Sequence, residues 1–296
     1  MLFAPIFGTI LNMKRIRNNR IRLTLLLLAV CLAAVGCGAP APDVDPASVG
    51  LTLEVFSVGK ADAMLLTVDG YNVLIDAGEN GDGDDLVAAM SERGIEKLDL
   101  MILTHFDKDH IGGADKVLKS MPVDAVRMPA YESDSKQYRQ LNKALAASST
   151  SVYRMTKDAT FSLGGADFII WVSSVPYDGK NDNEQSLVTK MVYSGKTYLF
   201  TGDAEEAWLK SLCFSTRNLT CDVLKMPHHG VYDPNLFTLL TLTMPGTAIL
   251  TDSEKNPADE KVLSDLELFG ADTYRTANGS ILVTQNGTQF SVSYTD

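Results

Sequence analysis

The segment "LTLEVFSVGKADAMLLTVDGYNVLIDAG", which begins at Leu51, alternates apolar runs with turn residues at Gly59 and at Asp69 and Gly70, and it predicts three short strands in a meander. The period then changes. "GDDLVAAMSERG" spaces its apolar residues along one face of a helix that Gly94 stops, "LDLMILT" is the continuous apolar run of a buried strand, and "GGADKVLKS" opens a second helix. "YRQLNKALAAS" is again helical, "FIIWVSS" and "SLVTKMVYSGKTYLFTGD" return to strands, and helix "AEEAWLKSL" and strand "CDVLKMPHHG" follow. The C-terminal stretch predicts helix "DEKVLSDLELFG", strand "DTYRT" and the hairpin "GSILVTQNGTQFSVS", turning at Asn286 and Gly287. Strands first, then strands and helices in alternation, in each of two halves, predict an α/β fold: a four-layer αββα sandwich with helices outside two packed sheets.

Ahead of this pattern the chain reads as an address. Residues 1–36 hold a basic stretch "MKRIRNNRIR", the apolar run "LTLLLLAVCLAAV" and small residues before Cys37, the order of a secretory leader. The small residue directly before Cys37 and the Gly/Ala/Pro tether after it resemble a bacterial lipoprotein signal. The expectation is therefore a leader at 1–36, a flexible tether at 37–50, and one folded domain at 51–296 held outside the cytoplasm by lipid on Cys37. Past the leader no segment is long and apolar enough to span a bilayer. Of the other cysteines, Cys31 lies in the leader. Cys213 and Cys221 are compatible with a short-loop disulfide or with two buried thiols.

Charge narrows the partners. The chain carries 26 basic and 37 acidic residues, a formal net charge of -11; removing Lys14, Arg15, Arg17, Arg20 and Arg22 with the leader leaves 21 against 37, or -16. Such a surface argues against gripping nucleic acid with a basic face, since phosphate contacts draw on Lys and Arg, but it leaves room for a nuclease whose metal ions supply the positive charge.

The candidate chemistry is concentrated in the histidines. There are four, and they fall in two clusters: His105 and His110 in "LTHFDKDHIGG", His228 and His229 in "MPHHG". With Asp107 and Asp109 interleaved, the first cluster has the imidazoles and carboxylates that bind borderline and hard divalent cations. Asp76, His105, Asp203 and His228 all sit where a predicted strand ends, so loops on one rim would gather them. Neither cysteine has a neighbouring histidine and there is no G-x-S-x-G elbow, which disfavours a covalent nucleophile.

These motifs resemble the metallo-β-lactamase superfamily, in particular the metal-dependent domain of ComEC/Rec2-type competence proteins in a stand-alone secreted form. "VGKADAMLL", "LIDAG", "THFDKDHIGG", "NEQSLV", "FTGD", "DVLKMPHHG" and "YRTANGSI" follow in the family's order between about residues 51 and 290. The resemblance implies two divalent metal ions, Zn²⁺ or Mn²⁺. His105 and Asp107 would hold one, Asp109, His110 and His229 the other, and Asp203 would bridge them. Asp76 would orient ligands by hydrogen bonds, and Asn183 or Ser186 stands where a further imidazole is expected, making the first site oxygen-rich. His228 would contact the substrate's phosphate and, with Asp109, serve the reaction. Departures are Lys60 and Ala61 for the family's Gln-Gly, and Val231 where serine commonly follows "HHG".

The expected activity is extracytoplasmic hydrolysis by a hydroxide bridging two metals, on a phosphodiester such as DNA. Lys60, Lys108 and Lys225 are expected to offset the acidic field at the cleft. The alternatives are hydrolysis of small esters, phosphorylcholine or a lactone, and a non-catalytic surface binding protein stabilised by a metal.

Overall fold

The computed structural model describes residues 50–295; the leader, Cys37 and all but the last residue of the tether lie outside that range. The first sheet has eight strands in the order β15-β14-β1-β2-β3-β4-β5-β6 and the second has seven, β13-β12-β11-β10-β9-β8-β7. In chain order, the predicted meander is β1 (Leu51–Val55), β2 (Ala63–Val68) and β3 (Tyr71–Ala77), all antiparallel. Helix α1 (Gly83–Glu92) leads to β4 (Leu100–Ile102), helices α2 (Lys108–Ile111) and α3 (Ala114–Ser120), β5 (Ala125–Pro129), α4 (Lys136–Ala147) and β6 (Ser151–Met155). The second half runs β7 (Ala159–Leu163), β8 (Ala166–Trp171), β9 (Val188–Tyr193), β10 (Lys196–Phe200), α5 (Glu206–Cys213), β11 (Val223–Lys225), α6 (Leu236–Thr243), β12 (Thr247–Leu250), α7 (Glu260–Phe269) and β13 (Asp272–Arg275). The hairpin β14 (Ser280–Asn286) and β15 (Gln289–Thr295) returns to the first sheet beside β1.

Side-chain alternation distributes the apolar residues among three cores, which makes the predicted four layers. Met64, Leu66, Val73 and Ile75 meet Phe168, Met191, Tyr198 and Phe200 between the sheets. Leu65, Leu74 and Met101, on the opposite faces of their strands, pack on Leu86 and Met90 of α1 and Leu141 of α4. Leu199 and Leu224 pack on Trp208, Leu240 and Leu266 from α5, α6 and α7. Strands β5, β6, β7 and β12 and helix α6 were not foreseen from the sequence pattern. Among the described residues no helix is long and apolar enough to cross a membrane. Cys213 and Cys221 are free and buried, not disulfide-bonded.

The topology sets where a site can form. Strands β3 to β6 are parallel, as are β10 to β13, so the carboxyl ends of β3, β4, β10, β11 and β12 open on one rim. The antiparallel neighbours β2 and β9 bring the residues just before them, Asp62 and Ser186, to the same rim.

Candidate metal centre

The acidic end of β3 is aimed by a bulge. Ala63 pairs with Ala77 and Met64 with Ile75, leaving Asp76 as the extra residue, in left-handed backbone at φ 56°. That turn buries its carboxylate, which accepts from Thr104 N (2.8 Å) and Thr104 Oγ1 (2.7 Å) and lies 2.7 Å from His110 Nδ1. With its proton committed to Asp76, Thr104 Oγ1 accepts from Nδ1 of His105 at 3.0 Å. His229 donates from Nδ1 to the Thr251 carbonyl, 3.1 Å away. Each imidazole thus spends Nδ1 on a protein acceptor and leaves Nε2 free, the tautomer a metal ligand needs.

Those three Nε2 atoms converge. His110 Nε2 is 3.2 Å and His229 Nε2 3.1 Å from Oδ2 of Asp203, and His105 Nε2 lies 3.7 Å from Oδ2 of Asp107. The donor atoms of His105, His110 and Asp203 lie within 4.8 Å of one another, and so do those of Asp109, His110 and His229. None of the three Nε2 atoms, nor Oδ1 of Asp203, has a hydrogen-bond partner, although all are buried. Four orphaned polar atoms at one point are costly without a partner, and a divalent cation supplies one to all. The donor set fits such ions.

The electrostatics agree. Burial opposes ionisation of Asp203, yet His110 and His229 hold its carboxyl well below the usual range. Burial likewise opposes a charge on His110, but Asp203 and Asp76 raise it well above the ordinary imidazole value, and Asp203 raises His229.

The remaining predicted residues take distinct places. Asp107 and Asp109 are on the open side, with side chains 48% and 22% exposed. Ser186 Oγ accepts from the Asp203 amide at 3.1 Å and lies 3.4 Å from His105 Nδ1. Asn183 donates to Glu205 Oε2 at 3.3 Å and keeps a buried, unpartnered Oδ1. His228 and His229 are both left-handed, at φ 47° and 56°, which turns two consecutive imidazoles towards Asp203. His228 is the outer one, with Nε2 4.0 Å from Asp203 Oδ2 and Nδ1 2.9 Å from Glu205 Oε2. That bond, ahead of the burial that opposes it, keeps the Glu205 carboxyl below its ordinary value.

One reading is corrected. Lys225 does not face the cleft: it is 1% exposed, its Nζ 2.7 Å from Oδ2 of buried Asp62, while Lys108 is exposed and donates to Glu79. Gly112 and Gly113 serve close packing, since a Cβ on either would come within 2.3 Å of Asn80 N or Ala77 O. Asp62 is the residue that sequence reasoning missed. It accepts from Thr251 Oγ1 at 2.5 Å and lies 3.3 Å from His229 Nδ1; burial opposes its charge, but Lys225 keeps it ionised. Its place in "KADAMLL" was its one signal.

Beside Asp107 an open cleft of about 360 Å³ is lined by Glu132, Asp134, Tyr177, Lys180 and Asp182, carboxylates outnumbering the single lysine. A larger hollow of about 580 Å³ between β1, β14 and β15 lies at the opposite end of the strands and has no titratable side chain in its lining, so it is not where the chemistry lies.

The model of the metallo-beta-lactamase superfamily matches residues 57–250. ComE operon protein 3 of Bacillus subtilis (strain 168) is 29% identical over 201 residues, which are 66% of this chain and 26% of that protein. Recombination protein 2 of Haemophilus influenzae is 28% identical over 211 residues, 69% of this chain and 24% of that protein. The chain therefore spans about a quarter of the length of these curated relatives. The crystal structure of the metallo-beta-lactamase fold protein YhfI from Bacillus subtilis shares the fold, with a TM-score of 0.53 at 12% identity over 76% of this chain and 96% of that one. By sequence and by fold, the chain belongs to the metallo-beta-lactamase superfamily, and within it its sequence is similar to the ComEC/Rec2-type proteins.

Proposed function

We propose that the protein is an extracytoplasmic metal-dependent phosphodiesterase, anchored to the bacterial membrane by lipid on Cys37, with DNA among its substrates. The observation that carries the catalytic part is the convergence of the unpartnered Nε2 atoms of His105, His110 and His229 on Asp203, with Asp107, Asp109 and His228 on the open side. His105 and Asp107 would hold one ion in an oxygen-rich site that suits Mn²⁺, and Asp109, His110 and His229 a second that also suits Zn²⁺, with Asp203 shared. When bound, such ions polarise a phosphoryl oxygen and generate a nucleophile from water at neutral pH. Asp76, Thr104, Ser186 and Thr251 fix the ligand rings, Asp109 orients the attacking water, and His228 contacts the phosphoryl group from the solvent side.

Support for a phosphodiester comes from the hard oxygen donors and from the relative named for recombination. The acidic cleft and net charge work against a long polyanion, so activity on DNA should be modest, sequence-tolerant and little weakened by salt. The test is to assay the mature domain, loaded with Mn²⁺ or Zn²⁺, on bis-p-nitrophenyl phosphate, linear DNA, p-nitrophenyl phosphorylcholine and a lactone. Hydrolysis of the diester and of DNA supports the reading, and lactone turnover without either overturns it. Changing Cys37 to Ala should release the protein from the membrane fraction; retention there rejects the lipid anchor.

A further inference from the structure

We infer that Glu205 is a positioning residue, which, clamped by two asparagines, holds the His228 ring with Nε2 facing the reacting phosphoryl group. The inference rests on the phosphodiesterase reading for what His228 touches, but not for how it is held. Glu205 Oε1 accepts from Asn181 Nδ2 at 2.9 Å, and Oε2 accepts from Asn183 Nδ2 at 3.3 Å and from His228 Nδ1 at 2.9 Å. Asn183 is itself fixed through its amide to Asn181 Oδ1 at 3.1 Å. A carboxylate with three donors in place has little freedom, and an imidazole bonded to it through Nδ1–H has one tautomer and a restricted orientation. The direction is set by backbone: the left-handed turn at His228 points Nε2 towards Asp203 Oδ2, 4.0 Å away, while the ring stays 24% exposed. Unlike His110 and His229, this imidazole is not enclosed, so a substrate oxygen can reach it. Asn181, Asn183 and Glu205 come from two separate loops and meet only in the fold.

The test uses the mature protein in two states. In the metal-free protein, side-chain ¹⁵N spectra should show His228 protonated at Nδ1, and Glu205→Gln should lose that preference. In the metal-loaded protein, Glu205→Gln and Glu205→Ala should lower kcat on bis-p-nitrophenyl phosphate by about 10- to 100-fold with KM and metal content kept. Glu206→Gln, which removes the same charge from the exposed neighbouring residue, should behave as wild type. Unchanged ¹⁵N shifts, or an unchanged kcat, would overturn the positioning role. Loss of metal from the Glu205 variants would overturn it too, by making His228 a ligand. A wild-type protein without diesterase activity refutes the functional reading, while the ¹⁵N spectra still decide how His228 is held.

Discussion

Lys225 Nζ lies 2.7 Å from Asp62 Oδ2, and both side chains are enclosed, at 1% and 0% exposure. The pair is ionic rather than an aligned hydrogen bond, since Oδ2 has no properly directed donor while Oδ1 accepts from Thr251. Its consequence is charge balance, because Asp62, Asp76 and Asp203 are buried together and Lys225 offsets one of them without occupying the metal position. Replacing Lys225 with Met removes the strongest of the charges that compensate Asp62, leaving His229 and His110, and should cost about 3–5 kcal/mol of stability. The double variant Lys225→Met with Asp62→Asn should recover part of that. Urea unfolding of the metal-free proteins checks both; an equal loss in single and double variants would mean that the charge pairing is not the cause.

A second prediction concerns the approach of α3 to the end of β3. Gly113 has ordinary helical backbone, so its requirement is space: a Cβ there would sit 2.3 Å from Ala77 O and 2.8 Å from Gly83 Cα. Gly113→Ala should therefore force backbone apart and cost about 1–3 kcal/mol. Gly81→Ala, where a Cβ meets nothing within 4 Å, should stay within about 0.5 kcal/mol of wild type. The comparison is made by urea denaturation.

What the sequence could disclose follows from how locally each feature is written. His105, Asp107, Asp109 and His110 lie within six positions and advertise a metal whatever the fold. Asp62 is a lone carboxylate at the head of an apolar strand, and its tie to Thr251 spans 189 positions, so only its place in "KADAMLL" marks it. Glu205 and its three donors are likewise joined by tertiary structure. The missed helix α6, "LFTLLTLT", has no polar stripe and is interrupted by β-branched threonines, so no helical period stands out. The missed strand β6 exposes four of its five residues at the sheet edge and so lacks the alternation of a half-buried strand.

The thiols give a pH prediction. Burial pushes Cys213 up to about 11, with Asp233 adding to it, and Cys221 up to about 12, Lys190 opposing and Asp222 adding. Both should therefore resist Ellman's reagent at pH 8 in the native protein and react after denaturation. Because the folded values lie above the ordinary thiol value of 9.0, the folded state keeps protons that the unfolded chain has lost. The associated stability is fully present below about pH 9 and is lost as pH rises through about 11 to 12. Fast labelling of the native protein at pH 8 would contradict the burial of both.

The last prediction separates Asp203 from Asp107, two carboxylates that face imidazole Nε2 atoms. Asp203 is buried with Oδ2 facing His110 and His229, and its Oδ1 has no other partner, so nothing else can take over both contacts. Asp107 is half exposed, lies 3.7 Å from His105 Nε2, and can be replaced by water in an oxygen-rich site. Asp203→Ala should thus lower the content of both ions, measured by elemental analysis after dialysis, and remove several kcal/mol of transition-state stabilisation, roughly 10³-fold or more in turnover. Asp107→Ala should weaken one site only, and excess Mn²⁺ should restore much of its rate. An Asp203→Ala protein that keeps both ions and wild-type turnover would remove Asp203 from its shared position and, with it, the two-ion arrangement proposed for this centre.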